Sequence, residues 1–170
     1  KNTAVSSIPR GIVMDEAANL TYVAIMGGSS LAVIDNKTWE KTTEIKVASN
    51  PRHILQDKKG RLLVSFNSLG QIACVDPNTG TLLFKASTEA QPRTMALSKS
   101  GEYLFVTCYS GNRLMVYKVL DDRFQLMHSI ECPGKPVGVD VFEDNESLEA
   151  WVCSYSSGTI TVHRFGKVRD

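Results

Sequence analysis

The chain has 170 residues, enough for one domain with a sizeable core. Apolar residues make up 42% and charged residues 22%, with a net charge of +1, so no whole-molecule field draws nucleic acid or an anionic membrane. No stretch approaches the roughly 18 apolar residues of a membrane span, so membrane insertion is excluded as an expectation.

The chain starts at Lys1 without methionine and without an apolar signal core, the pattern expected of a processed protein or a fragment. Residues 2–8 (NTAVSSI) read as a stray polar strand. Pro9 then opens a first unit, with predicted strands GIVMD (11–15), TYVAIM (21–26), LAVID (31–35) and TTEIKV (42–47). Pro51 opens a second, with HILQD (53–57), RLLVSF (61–66), QIACVD (71–76) and TLLFKAS (81–87). Pro92 opens a third, with TMALS (94–98), YLFVTC (103–108), RLMVYK (113–118) and FQLMHSI (124–130). Pro136 opens the last, with VGVDVF (137–142), EAWVCSY (149–155) and TITVHRF (159–165), after which the chain ends at GKVRD.

The proline spacings are 42, 41 and 44 residues. A period of about 40–45 residues with four short strands per unit predicts propeller blades. All the strands are rich in Val, Ile, Leu, Phe and Tyr and are bounded by Gly, Asn, Asp and Ser. The second and third strands of each unit are apolar on both faces in places, as inner strands sandwiched between blades must be. The expected fold class is therefore all-β, a β-propeller of four blades with four antiparallel strands each. It forms a single domain over residues 1–170, with blades near 9–49, 50–90, 91–133 and 134–170. The last blade lacks its own fourth strand, and residues 2–8 are the expected replacement, closing a ring of four. Two alternatives stay open: half of a seven- or eight-bladed ring, or a homodimer pairing two such halves.

Four cysteines, Cys74, Cys108, Cys132 and Cys153, lie 34, 24 and 21 residues apart, without CxxC or zinc spacing. They read as small buried hydrophobes, with a disulfide as the alternative. His53, His128 and His163 are scattered over different units, so no metal is expected. No cofactor is expected either, since no GxGxxG, Walker or EF-hand pattern occurs. Trp39 and Trp151 read as packing residues.

The repeats resemble the YVTN family of β-propellers, whose units run P-x-x-I-A-x-S-x-D-G-K-Y-x-Y-V-T-N-x-x-x-N-x-V-x-V-I-D. The third repeat, PRTMALSKSGEYLFVTCYSGNRLMVYK, is nearest, with Phe105-Val106-Thr107-Cys108 in the place of the YVTN core and Cys108 where Asn is usual. The first repeat offers Tyr22-Val23-Ala24-Ile25 and Val33-Ile34-Asp35, the second Leu63-Val64-Ser65-Phe66 and Cys74-Val75-Asp76. The resemblance implies a non-catalytic binding or scaffolding module that is periplasmic, cell-surface or extracellular. It also brings in propeller lactonases similar to 6-phosphogluconolactonase, which carry G-P-R-H at the opening of a strand. This chain has Asn50-Pro51-Arg52-His53, making Arg52 and His53 the catalytic candidates of that alternative, a lactone hydrolase.

Propeller geometry sorts the loops onto two faces. One face carries charged turns such as QDKKGR and FEDNESLE. The other carries MGGSS, NSLG, YSGN and YSSG together with the proline-bearing connections. It is nearly free of charge except for a repeated base: Arg10, Arg52 and Arg93 each follow the opening proline, and Lys135 precedes Pro136. On the innermost strands these bases would converge on the channel mouth, raise the local potential and attract anions. Arg adds a planar fork suited to carboxylate or phosphate. Tyr109, Tyr155 and Phe66 would supply apolar contact. The expected partner is a protein, or an acidic small molecule or polymer. The competing expectation is architectural: each Arg pairs with Asp15, Asp35, Asp57, Asp76 or neighbouring carbonyls and locks blades together.

Overall fold

The structure, a computed structural model, describes residues 1–166. Blade one comprises β1 (Pro9–Asp15), β2 (Leu20–Ile25), β3 (Ser30–Asp35) and β4 (Glu40–Lys46). Blade two comprises β5 (Pro51–Gln56), β6 (Leu62–Phe66), β7 (Gln71–Val75) and β8 (Leu82–Ser87). Blade three comprises β9 (Pro92–Leu97), β10 (Tyr103–Cys108), β11 (Arg113–Val119) and β12 (Phe124–Glu131). Blade four has β13 (Pro136–Glu143), β14 (Ser147–Ser154) and β15 (Thr159–Gly166). Each blade is an antiparallel sheet in chain order, and no helix occurs among the described residues.

The innermost strands start at the proline itself, one or two residues earlier than the sequence suggests. Proline suits that position because its fixed φ and missing N–H are tolerated only where the ladder has not yet begun or at a bulge. A register shift follows at once in every blade, as between Pro51 and His53 and between Pro136 and Gly138. The bulge leaves backbone groups without ladder partners, and in two blades a hydroxyl fills the gap. The His53 amide donates to Ser65 Oγ (3.1 Å), and the Thr94 amide to Thr107 Oγ1 (3.1 Å). Ser65 in turn donates to the Arg93 carbonyl at 3.2 Å, and Thr94 Oγ1 to the Val137 carbonyl at 2.6 Å. Each of these two bonds crosses to the next blade.

The core lies between blades. Tyr22, Leu31 and Val33 of blade one pack on Ile54, Leu62, Val64 and Phe66 of blade two. Leu63, Ile72 and Cys74 pack on Met95, Leu104, Val106 and Tyr117 of blade three. Phe105, Leu114 and Val116 pack on Leu148, Ala150 and Val152 of blade four. Polar ties reinforce the joints: the Gln56 amide donates to Asp15 Oδ2 (2.6 Å), and the Tyr117 hydroxyl to the Ser87 carbonyl (2.7 Å).

The inner strands pack in the succession β1, β5, β9, β13, and among the described residues β13 has no comparable packing on β1. Ile12 at one end and Trp151 at the other stay 64% and 48% exposed, so the four blades form an open arc. Residues 2–8, expected to complete blade four, form no strand and lie over blade one. There the Met26 and Gly27 amides donate to the Ile8 and Ser7 carbonyls, and the Thr3 hydroxyl to the Trp39 carbonyl. The reason is apolar: Val5 covers Val23, Ile25 and Ala32, a blade surface that no other described blade buries. Residues 167–170, the last of GKVRD, lie outside the described residues.

All four cysteines are free. Cys74, Cys108 and Cys132 are buried, and burial pushes the Cys74 thiol up to about 11 and Cys108 up to about 12. Cys153 is exposed, against the expectation from its apolar strand, because it points out of blade four at the open end of the arc.

Candidate functional site

One backbone device recurs in all four blades. The residue before each opening proline, namely Ile8, Asn50, Gln91 and Lys135, has φ between 45° and 61°. Its carbonyl accepts the amide of the residue just past the second strand: Met26 (3.0 Å), Asn67 (3.1 Å), Tyr109 (2.9 Å) and Tyr155 (3.0 Å). This left-handed turn is costly for a non-glycine residue, and most of all for the β-branched Ile8. It clamps the loop between the second and third strands against the proline connection. A base and a loop side chain are thereby brought to the same place in successive blades.

Arg52 sits half-buried, with Nη1 3.4 Å from the Met26 sulfur of the preceding blade. Arg93 lies flat on its own blade's Tyr109, its guanidinium carbon 3.6 Å from the ring centroid. Lys135 Nζ approaches the same ring to 5.2 Å, so Tyr109 is shared by two cations from adjacent blades. Burial holds the Arg52 guanidinium below its ordinary pKa, and the Arg93 and Arg10 charges add to the effect. The structure thus brings Arg10, Arg52, Arg93, Lys135 and Tyr109 into one region. Tyr155 is tied by its amide to the Lys135 carbonyl with its side chain 72% exposed, and Phe66 is buried in the joint between blades one and two.

None of the carboxylates considered as partners reaches these bases. Asp15 accepts from Ala18 and Gln56, Asp35 from the Lys37 and Thr38 amides, and Asp76 from the Asn78 amide. Asp57 pairs with Arg61 Nε at 2.8 Å. Among the described residues, no ion pair joins Arg10, Arg52, Arg93 or Lys135 to an acid. Arg93 Nε and Asn67 Oδ1 are buried without a hydrogen-bond partner. Asn67 occupies in blade two the place Met26 holds in blade one, a residue the sequence did not single out. A cleft of about 650 Å³ opens elsewhere, between blades three and four beside Tyr103, His128, Glu143 and Phe165. It carries none of the four bases.

His53 is held as a structural acceptor. Its Nδ1 takes the Met95 amide proton of the next blade at 3.3 Å. Burial pushes its pKa below the ordinary imidazole value, and Arg52 adds to the shift. The unfolded chain therefore binds the proton more readily than the folded one. The associated stability is complete above the ordinary histidine pKa and is lost as pH falls through the folded value. We expect urea midpoints to drop between about pH 7 and pH 5, ahead of carboxylate protonation. His53→Gln should flatten that limb, leaving the smaller slope from His163, whose pKa burial also lowers. A limb unchanged in the variant would remove His53 as its cause. Among the described residues no cluster of His, Cys, Asp and Glu could hold a metal.

No known family profile matches the chain. It is 24% identical over 168 residues to Antigen Lp49 of Leptospira interrogans, covering 87% of this chain and 37% of that protein. It is 30% identical over 97 residues to Protein HIR2 of Kluyveromyces lactis, covering 53% of this chain and 12% of the other. Among solved structures, the hydrazine synthase of Kuenenia stuttgartiensis superposes with a TM-score of 0.78 at 20% identity, over 93% of this chain and 46% of that one. The WD40 β-propeller domain of Doa1 gives 0.75 at 16%, over 94% and 50%. A putative 6-phosphogluconolactonase from Bacteroides fragilis gives 0.69 at 13%, over 93% and 55%. The fold is a β-propeller. The chain spans about half the length of each of these solved chains, and less of the two sequence relatives.

Proposed function

We propose that this chain is a non-catalytic binding propeller of the YVTN type, whose proline-loop face receives an anionic group from a protein or an acidic ligand. The observation that carries the reading is the set of four bases, none of them paired with an acid among the described residues. Like charges held together raise the local potential, and a bound carboxylate or phosphate offsets the Arg93 and Arg10 charges that add to the burial holding Arg52 below its ordinary value. Arg93, flat on Tyr109, is oriented before any ligand arrives, which lowers the entropic cost of binding. A location in the cell envelope or outside the cell belongs to the same proposal. Its support is the YVTN-like repeat pattern and the relative named as an antigen. The test is titration with polyglutamate or heparin by calorimetry. Binding that weakens with added salt and with Arg52→Ala or Arg93→Ala supports the reading. Binding that ignores both substitutions overturns the face.

A second reading, lactone hydrolysis through Arg52 and His53, draws on the likeness to the putative 6-phosphogluconolactonase. His53 argues against it, since its Nδ1 is engaged by Met95 and the ring is mostly enclosed. Turnover of a sugar-lactone panel that disappears in His53→Ala would favour the enzyme.

A further inference from the structure

The turn between the second and third strands of blade two carries a side chain that the turn itself does not need. By register, residues 26–29, 67–70, 109–112 and 155–158 are the same turn in the four blades. Its third position holds Gly28, Leu69, Gly111 and Ser157 in turn. The Leu69 amide donates to the Phe66 carbonyl at 3.2 Å, and the Gly28 amide makes the same bond to Ile25 at 3.0 Å, so leucine adds nothing to the backbone. Its side chain is 43% exposed. The turn is laced between the two connections that carry Arg52 and Arg93. The Asn67 amide donates at 3.1 Å to the carbonyl of Asn50, just ahead of Arg52, and the Thr88 amide, ahead of Arg93, donates at 2.8 Å to the Gly70 carbonyl. Leu69 therefore stands between two bases on one face, neither of them paired with an acid among the described residues. The two are near enough for the Arg93 charge to act on Arg52. Past Arg93 the row continues with Tyr109, under the Arg93 guanidinium, and with exposed Lys135. All of these lie in blades two and three and the connection to blade four, away from both ends of the arc.

We propose that the partner of this face is a protein segment in which a large apolar side chain lies between acidic ones, with Leu69 as its apolar contact. The inference rests on the anion-binding reading above and adds the class of partner to it. A free anion or an acidic polysaccharide satisfies the bases and leaves Leu69 in water. An acidic polypeptide meets both needs. Its carboxylates face Arg52 and Arg93, and the apolar side chain between them removes Leu69 and the open part of Tyr109 from water. The charges steer the encounter and select against basic partners. The apolar contact is the part of the affinity that salt does not screen.

Fluorescence anisotropy with the full chain tests this on two short capped peptides rich in Glu, identical but for one central residue, Leu in one and Ser in the other. The Leu peptide is expected to bind about tenfold tighter, and to keep more of its affinity in added salt. Leu69→Ser puts in blade two the residue type that blade four has at this position, so the variant should keep the thermal transition. It should leave the Ser peptide unchanged and erase the difference between the two. Arg52→Ala should weaken both peptides alike. Equal binding of the two peptides by the wild type overturns this inference and leaves the anion-binding reading standing, as does a preference that survives Leu69→Ser. Binding of neither peptide overturns both. Heparin that binds tighter than the Leu peptide overturns the polypeptide partner, since the face then takes an acidic polysaccharide.

Discussion

Phe105→Ala should lower the free energy of unfolding by about 3–5 kcal/mol. Phe105 is fully buried in the joint between blades three and four, edge-on to Phe165 with centroids 5.5 Å apart. Alanine there removes the aromatic contact and leaves a cavity whose walls belong to two separate sheets. Neither sheet can collapse into the gap without breaking its own ladder. The informative control is Trp151→Ala, the same register position one blade later. Trp151 is half exposed and its indole N–H bonds only to Glu149, so truncation should cost the monomer less than about 1 kcal/mol. Urea unfolding of both variants, at concentrations where the wild type is monomeric, checks the contrast. Equal losses would mean that the blade joints are not the seat of stability. Because each blade contacts only its neighbours, Phe105→Ala should also broaden the transition by uncoupling blade four from the rest.

The fold was legible because its signal is local and repeated. A proline, a charged turn, a small-residue turn and two apolar strands recur with a fixed period, and each unit predicts its own sheet whatever its neighbours do. Which residues cross the joints was less legible. Ser65 reads as a polar interruption of an apolar strand, yet its hydroxyl replaces a ladder bond lost to the bulge and ties two blades together. Residues 2–8 look like an outer strand because composition records alternation; it does not record which edge is within reach. Cys153 looks buried because its strand is apolar, and only the missing neighbour exposes it. At the site, Arg10, Arg52 and Arg93 stood out as a repeated base after proline. Their lack of acidic partners could not be read, since it depends on Asp15, Asp35, Asp57 and Asp76 being engaged by turn amides, by Gln56 or by Arg61. Of the four left-handed residues before proline, only Asn50 carries a sequence signal for that backbone; Ile8 carries the opposite one.

Arg52→Met should separate stability from binding. The guanidinium is partly buried beside Met26, away from any carboxylate, and Arg93 and Arg10 act against its charge. Its folded pKa is lowered, so its charge opposes folding at every pH where arginine is protonated, and neutral replacement relieves that opposition. Methionine keeps the apolar stem and packs on the Met26 thioether. The variant should therefore unfold at an equal or higher urea concentration than the wild type. If an anion is the ligand, the same substitution should weaken polyglutamate binding about tenfold or more, and the salt dependence of what remains should be shallower. Arg61→Met is the contrasting case. Arg61 is paired with Asp57 and lies over Phe84, so its loss leaves a buried carboxylate unpaired. That should cost about 3 kcal/mol or more while leaving anion binding at the proline-loop face unchanged. Two arginines, one without an acid and one with, would then show opposite effects for one physical reason: only the uncompensated charge is held in readiness for a partner from outside the chain.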